Sequence, residues 1–406
     1  MRVDHFSLRE LQRFHLNDGV CSIGLGRPRR RGHPTFPNMI FSLIGGKTFL
    51  CGFGIPSISA AGEQQRARPQ AKRRVKQLAC PVHGFGERKV QGVVGSDERV
   101  LITGSSGLIG RALIAKMSLA GLRPIRFDIR ETAAPALGDL RDHLALERAV
   151  AGATGIVHLG GVSRVIWGER FPDLCHAVNV EATRKILDLA LNSRRRPWFV
   201  YASSREVYGQ QSVLPTVETA PLEPLNTYAR SKVAAEKLVS AARDAGLSTA
   251  TVRFSSVYGD IDDHADRVVP AFASAAACGG TMRIDGPDCA FDFTHVDDVA
   301  AGLMKICNAL ASGEKKMPTL HFVSGVKTTL RELAELAADL GPGPTQINLT
   351  PPRTFDIHEF CGDPSRASEV LGWRTAISLR SGLGKLIEEF KGCSPTRLRT
   401  AAARIA

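Results

Sequence analysis

Residues 99–110 read RVLITGSSGLIG. The first five residues are a short β-rich run, and glycines follow at Gly104, Gly107 and Gly110 in a GxxGxxG spacing. A strand that runs straight into such a turn, with helix-period residues behind it, opens a βαβ unit. Glycine permits the backbone angles of the tight turn. It lets backbone N–H groups approach a pyrophosphate, and it lets the helix pack closely on the strand. The helix N-terminus then faces the phosphates with its partial positive charge. The turn reads as a dinucleotide site.

The pattern repeats downstream. Apolar runs PIRFD (124–128), GIVHL (155–159), PWFVYAS (197–203), STATVRF (248–254) and TLHFV (319–323) alternate with helix-period stretches such as 108–121, 174–192 and 228–245. This predicts an α/β fold, a Rossmann-like doubly wound parallel sheet of about seven strands with a smaller C-terminal α/β substrate lobe. Residues 99–258 are expected to form the NAD-binding domain, with 292–323 returning to it. The lobe is expected at 259–291 and 324–390, with a tail over 391–406. Asp128 ends the second strand, 18 residues past Gly110. A carboxylate there can accept hydrogen bonds from both adenosine ribose hydroxyls and repels a 2′-phosphate, which favours NAD over NADP. Arg130 works against that preference. Asp139 and Leu140 fall where an adenine-binding loop would lie, although Asp139 reads almost as well as a cap for a helix over 142–151.

The 406 residues are 43% hydrophobic and 23% charged, which excludes wholesale disorder. The longest candidate for a membrane span, Met39 to Ala61, is interrupted by Lys47 and by glycines, so no membrane association is expected. Nine cysteines without a CxxC pair fit reduced thiols and a cytoplasmic location. Of the net charge of +13, residues 1–98 carry +9, from 16 Lys and Arg against 7 Asp and Glu. This basic segment has no sustained period and reads as a disordered extension. A transit peptide is disfavoured by Asp4, Glu10 and Asp18. Nucleic-acid binding would rest on the basic clusters alone and is ranked last. Cys80 and His83 have a ligand-like spacing but no second pair follows, so no metal site is expected.

Tyr228-Ala-Arg-Ser-Lys232 is a YxxxK motif. On a helix the two side chains share a face. Tyrosine ordinarily loses its proton near pH 10, and a neighbouring ammonium stabilises the phenolate. With a dinucleotide turn upstream, the pair suggests proton transfer coupled to hydride chemistry.

With these motifs in order, the chain from about Arg99 to about Glu389 resembles the extended short-chain dehydrogenase/reductase superfamily, in particular the NAD-dependent epimerase/dehydratase family. TGSSGLIG (103–110) resembles its glycine motif and VHLGG (157–161) its strand-four cofactor wall. Asn179 with Thr183 is similar to its N-x-x-G-T helix, with Ala182 in the glycine's place. SSREVYG (203–209), TYARSK (227–232), RFSSVYG (253–259), FDFTHVDDVA (291–300) and RASEVLGW (366–373) resemble further landmarks. The resemblance implies that Tyr228 is the base, that Lys232 lowers its pKa and holds the nicotinamide ribose, and that Ser204 bonds the sugar hydroxyl. It implies a cofactor lining of Gly104, Gly107, Leu108, Ile109, Gly110, Asp128, Asp139, Leu140, Leu159, Gly160 and Ser203, with Tyr228 and Lys232. It implies substrate contacts from Ser204, Ser256 and Arg353.

Departures from the family pattern bear on the reaction. The 4,6-dehydratases carry Asp-Glu where Arg205-Glu206 stands, and a cation there cannot protonate a leaving hydroxyl. Epimerases commonly have Asn at the place of Ser256 and Arg at that of Phe291, both near the substrate diphosphate. Arg353, in an R-x-x-D setting with Asp356, resembles a second phosphate-binding arginine. The leading expectation is a nucleotide-sugar epimerase resembling UDP-glucose 4-epimerases. The alternative is a dehydrogenase or reductase of a sugar or other secondary alcohol, and an NAD-sensing scaffold is disfavoured by the intact Ser204, Tyr228 and Lys232. The resemblance also implies a homodimer through helices at about 174–192 and 226–245, with Leu187, Ala190, Leu191, Ala234, Ala235 and Leu238 as apolar contacts unless they pack only on the sheet. Because the sheet can be completed without residues 1–98, a chain beginning near Ser96 is expected to fold and remain active. Loss of either on truncation would give the extension a role.

Overall fold

The computed structural model describes residues 98–131, 137–353 and 357–393. The basic segment before Glu98, including Cys80 and His83, lies outside these residues, and so does Asp356.

Strands β1 (Val100–Thr103), β2 (Ile125–Phe127), β3 (Gly155–His158), β4 (Trp198–Ser204) and β5 (Thr249–Phe254) form a parallel sheet with β9 (Leu320–Phe322), in the order β2-β1-β3-β4-β5-β9. The sheet has six strands where about seven were expected. β1, β3 and β5 are buried along their whole length, as their unbroken apolar and β-branched runs require when helices cover both faces. One face packs on helices α1 (Leu108–Leu119) and α8 (Val296–Ala311) through Leu113, Met117, Val299, Leu303 and Ile306. The other packs on α2 (His143–Ala151), α5 (Ala182–Asn192) and α6 (Thr227–Asp244) through Leu146, Val150, Ile186, Leu187 and Val239.

From β1 the chain moves to β2 on one side and then to β3 on the other. Strand order reverses there, so a crevice opens beyond the carboxyl ends of β1 and β3, where doubly wound sheets bind ligands.

The short helices α3 (Val165–Arg170) and α4 (Pro172–His176) follow β3. The helix expected over 174–192 is present as an unbroken run of helical backbone with one irregular turn in it. Ala177–Glu181 form one π turn between α4 and α5. The widened turn holds Asn179, whose carbonyl accepts a bond of 2.7 Å from the Thr183 hydroxyl. Such bulges occur often at functional sites. Asp139 is not a helix cap. The α2 cap is Asp142, which accepts from the N–H groups of Leu144 and Ala145, while Asp139 takes the Arg141 guanidinium on both oxygens.

A second cluster holds α7 (Val268–Cys278), α9 (Leu330–Leu340) and α11 (Leu379–Lys391). Two small sheets accompany it. β6 (Ser256–Tyr258), β8 (Ala290–His295) and β10 (Lys327–Thr329) make one, and β7 (Gly280–Asp285) with β11 (Thr345–Thr350) make the other. Helix α10 (Ser365–Leu371) leads to Trp373, which stacks on Phe322 of β9 at 4.5 Å and donates to the Asp298 carbonyl. Among the described residues, no helix is long and apolar enough to cross a membrane.

Two core strands carry buried histidines, His158 on β3 and His321 on β9, at 2% and 0% exposure. Burial lowers both pKa values to about 3, with Lys232 adding to the effect on His158 and Arg253 to that on His321. In the unfolded chain each takes a proton near pH ~6.5. The unfolded state then binds more protons, so this stabilisation is complete above about pH 6.5 and is lost as pH falls toward about 3. Unfolding free energy is expected to fall by about 1.4 kcal/mol per pH unit for each histidine in that window. His158→Gln should remove one such contribution in denaturant titrations, and an unchanged slope would refute it.

Candidate functional site

The turn after β1 is set by close backbone contact. Gly104 has φ +70°, and a Cβ there would stand 2.7 Å from the Gly160 amide nitrogen. A Cβ on Gly110 would stand 2.2 Å from the Gly104 carbonyl oxygen. Both positions therefore need glycine for space, and Gly104 also for its backbone angle. The Gly160 N–H donates to the Thr103 hydroxyl at 3.1 Å, and the Leu159 N–H to the Thr103 carbonyl at 3.2 Å. These bonds bring the glycine turn and the 159–161 wall together at the crevice.

Helix α1 begins at Leu108 and Ile109 behind Gly107, which offers no capping side chain, and its first turn has no acid. Its leading N–H groups are thus not capped by a side chain, which suits a phosphate. Asp128 is 7% exposed. Its carboxylate accepts from the Ser106 N–H at 3.0 Å and the Arg130 N–H at 2.9 Å. Oδ2, bonded by Ser106 alone, keeps a lone pair for a ribose hydroxyl, whereas Oδ1 takes both the N–H and the Nε of Arg130. The Arg130 guanidinium is drawn onto Asp128 at 3.5 Å. Burial raises the Asp139 pKa, but the Arg141 bonds outweigh it and the net direction is down. Leu140 is buried and packs toward Gly160, where a Cβ would meet its Cδ1 at 2.9 Å. These residues fit an adenosine diphosphate moiety.

The second half of the site lies where β4 ends beside α6. Asn226 caps α6 by accepting from the Ala229 N–H, which starts the helix one residue before Thr227 and Tyr228. Tyr228 and Lys232 are both buried, one turn apart. Lys232 Nζ donates to the Ala202 carbonyl at 2.9 Å and lies 5.0 Å from the Tyr201 ring centre. Burial lowers its pKa to about 8, against the opposing pull of Cys175 and Glu236. Ser204 closes β4 near the Tyr228 side chain, and its hydroxyl accepts from the Glu206 N–H at 3.2 Å. The Tyr228 hydroxyl differs from the sequence expectation. Burial raises its pKa to about 12, with Glu206 and Cys175 adding to the rise and Ser204 and Arg267 opposing it.

Ser203 points the other way and donates to Glu236 at 2.5 Å. Glu236 also receives the Arg253 fork at 2.9 and 2.6 Å, and Arg253 donates to the Tyr208 hydroxyl. Sequence reasoning missed this buried pair. Its signal was Glu236, one turn beyond Lys232 on the same helical face. Asn179 was anticipated as a motif residue, and its partners are now evident. Its side-chain amide ties the Val162 backbone to the Ser231 hydroxyl, beside Tyr228.

Ser256 and Arg353 stand apart from this cluster in the hydrogen bonds they make. Ser256 belongs to β6 in the three-stranded sheet, and its N–H donates to Ser255 Oγ. Arg353 lies 3.5 Å from Asp285 at the end of β7.

Residues 100–320 match the NAD dependent epimerase/dehydratase family. A UDP-glucose 4-epimerase of Mycolicibacterium smegmatis is 28% identical, over 73% of this chain and 99% of its own. A UDP-glucuronic acid decarboxylase of Arabidopsis thaliana is 27% identical over 73% of this chain and 90% of its own. Among solved structures, MoeE5 in complex with UDP-glucose and NAD superposes with a TM-score of 0.65 at 27% identity, over 71% of this chain and 97% of that one. The chain therefore belongs to the NAD-dependent epimerase/dehydratase family of nucleotide-sugar enzymes, and its cofactor is NAD.

Proposed function

We propose that the chain is a nucleotide-sugar 4-epimerase. The observation that carries this reading is the buried Tyr228–Lys232 pair on α6 beside the Ser204 end of β4, with Arg205 rather than an acid as the next residue. Bound NAD would supply a reversible hydride acceptor. Ser204 orients the sugar hydroxyl, and Tyr228 Oη takes its proton as the carbon's hydrogen leaves with its electron pair. After the keto-sugar turns over, Tyr228 returns the proton as hydride arrives on the other face. Lys232 holds positive charge next to the tyrosine throughout. Dehydration would need a proton donor beside Ser204, and the guanidinium of Arg205 cannot serve.

A dehydrogenase or reductase reading draws support from Phe291 and Ser256, which lack the polar groups common in epimerases. The two readings separate on cofactor stoichiometry. Denatured protein is expected to release tightly held NAD, and UDP- or dTDP-hexoses should interconvert without net cofactor reduction. Stoichiometric reduction would favour the dehydrogenase.

Tyr228→Phe keeps the ring and should bind NAD nearly normally, with turnover reduced by a factor on the order of 10²–10⁴. Lys232→Met should lower turnover and weaken NAD binding together, and Ser204→Ala should cost less than loss of the base. Wild-type turnover in Tyr228→Phe would refute the mechanism.

The same reading carries a homodimer. Leu187, Ala190 and Ala235 are buried in the chain's own core; Leu191 and Leu238 also pack against it but, like Ala234, stay half-buried, and these three on α5 and α6 would meet a second copy. Sedimentation at micromolar concentration is expected to give a dimer, and a monomer would reject it.

A further inference from the structure

Arg205 directly follows Ser204 and opens the 3₁₀ turn Arg205–Tyr208. Its guanidinium lies over the Phe291 ring at 4.3 Å and within 5.8 Å of the Phe360 ring centre. One terminal nitrogen stands 3.3 Å from Glu206 Oε1, while Glu206 Oε2 is taken by the Asn226 amide. The other terminal nitrogen, NH1, is buried and has no hydrogen-bond acceptor among the described residues. The side chain is 14% exposed, so part of it remains within reach of a ligand.

A charged, buried donor without an acceptor costs on the order of 1–3 kcal/mol or more. Two aromatic rings keep water from much of this guanidinium, which strengthens any ionic contact it makes. The position limits what that contact can be. A sugar whose reacting hydroxyl sits on Ser204 and Tyr228 presents next to it either a ring hydroxyl or the exocyclic carbon. A hydroxyl can answer one N–H, whereas a carboxylate answers the planar fork with charge-assisted bonds. Local charge agrees. Beside Tyr228, Arg267 is positive, and the charge of Glu206 is partly answered by Arg205 at 3.3 Å. The acid nearest Arg267, Asp263 at 3.8 Å, is pushed toward its neutral form by burial.

We infer that Arg205 is a specificity residue that receives a carboxylate on the exocyclic carbon of the sugar, so that the preferred substrate is a nucleotide uronate. This rests on the nucleotide-sugar reading above. It also gives a task to a cation that the epimerase reaction itself does not use.

Equilibrium binding to the NAD-loaded full chain tests it separately from turnover, with UDP-glucose and UDP-glucuronate as probes. The wild type is expected to bind the uronate more tightly. Arg205→Met should weaken uronate binding by about 10–100-fold, the equivalent of a lost charged hydrogen bond, and neutral-sugar binding far less. Arg205→Lys keeps the charge but not the fork and should fall between. NAD content of each variant reports its folding. A wild type that prefers UDP-glucose, or an Arg205→Met variant that weakens both ligands alike, overturns the inference and leaves the epimerase reading standing. If both probes bind with the expected ratio but no nucleotide sugar is turned over, the epimerase reading fails while Arg205 keeps its role.

Discussion

A buried ammonium organises the catalytic half of the molecule. Lys232 is 7% exposed, and removing such a charge from water is costly unless it is well bonded. The chain answers with the Ala202 carbonyl, the face of Tyr201 and the field of Glu236. Each partner fixes something else. The Ala202 bond sets α6 against the end of β4, where Ser204 meets Tyr228. Glu236 locks Ser203 and Arg253, and through Arg253 reaches Tyr208, whose hydroxyl also bonds His321 on β9. One strand end, one helix and two further strands thus share a polar network. Removing either Glu236 or Arg253 would leave the other's buried charge unpaired, which costs far more than the net worth of the pair.

This network explains how much of the molecule the sequence disclosed. Local period and glycine spacing were enough for the strands, for the turn at Gly104–Gly110 and for the shared face of Tyr228 and Lys232. Each of those features depends on neighbours within a few residues. Of the features that were not legible, the choice of helix cap is local and the π turn depends on distant residues. Nothing near Asp139 says that Asp142 will cap the helix, because both acids precede the same helix-period stretch and the choice falls to Arg141. The π turn at Ala177–Glu181 exists to bring Asn179 to Val162 and Ser231, residues 17 and 52 positions away.

Tyr228 and Lys232 do not behave as an isolated pair in the folded chain. Motif logic treats Lys232 and Tyr228 as an isolated pair, in which an ammonium must favour a phenolate. In the folded chain both groups are buried, and burial disfavours the charged form of each, lowering the lysine to about 8 and raising the tyrosine to about 12. The protein alone therefore holds a neutral phenol. That is chemically useful, because a tyrosine that ionised in the absence of substrate and cofactor would carry a charge with nothing to transfer.

The same balance decides what the remaining charges near the site can do. His158 stands behind Lys232 with one ring nitrogen on Thr103 and the other on Thr183, and its proton affinity is too low for acid–base work at neutral pH. Its place is structural: through Thr103, which also accepts from Gly160, it ties the cofactor wall to the helix that carries Asn179. Glu206 is paired with Arg205 and bonded by Asn226, so it is poorly placed to accept a substrate proton. Under the proposed reading, proton transfer is left to Tyr228, with Ser204 orienting the sugar hydroxyl. The buried charges around that pair then act on the substrate by position and field, and a site in which only one group can exchange a proton suits a reaction that must return the proton it took.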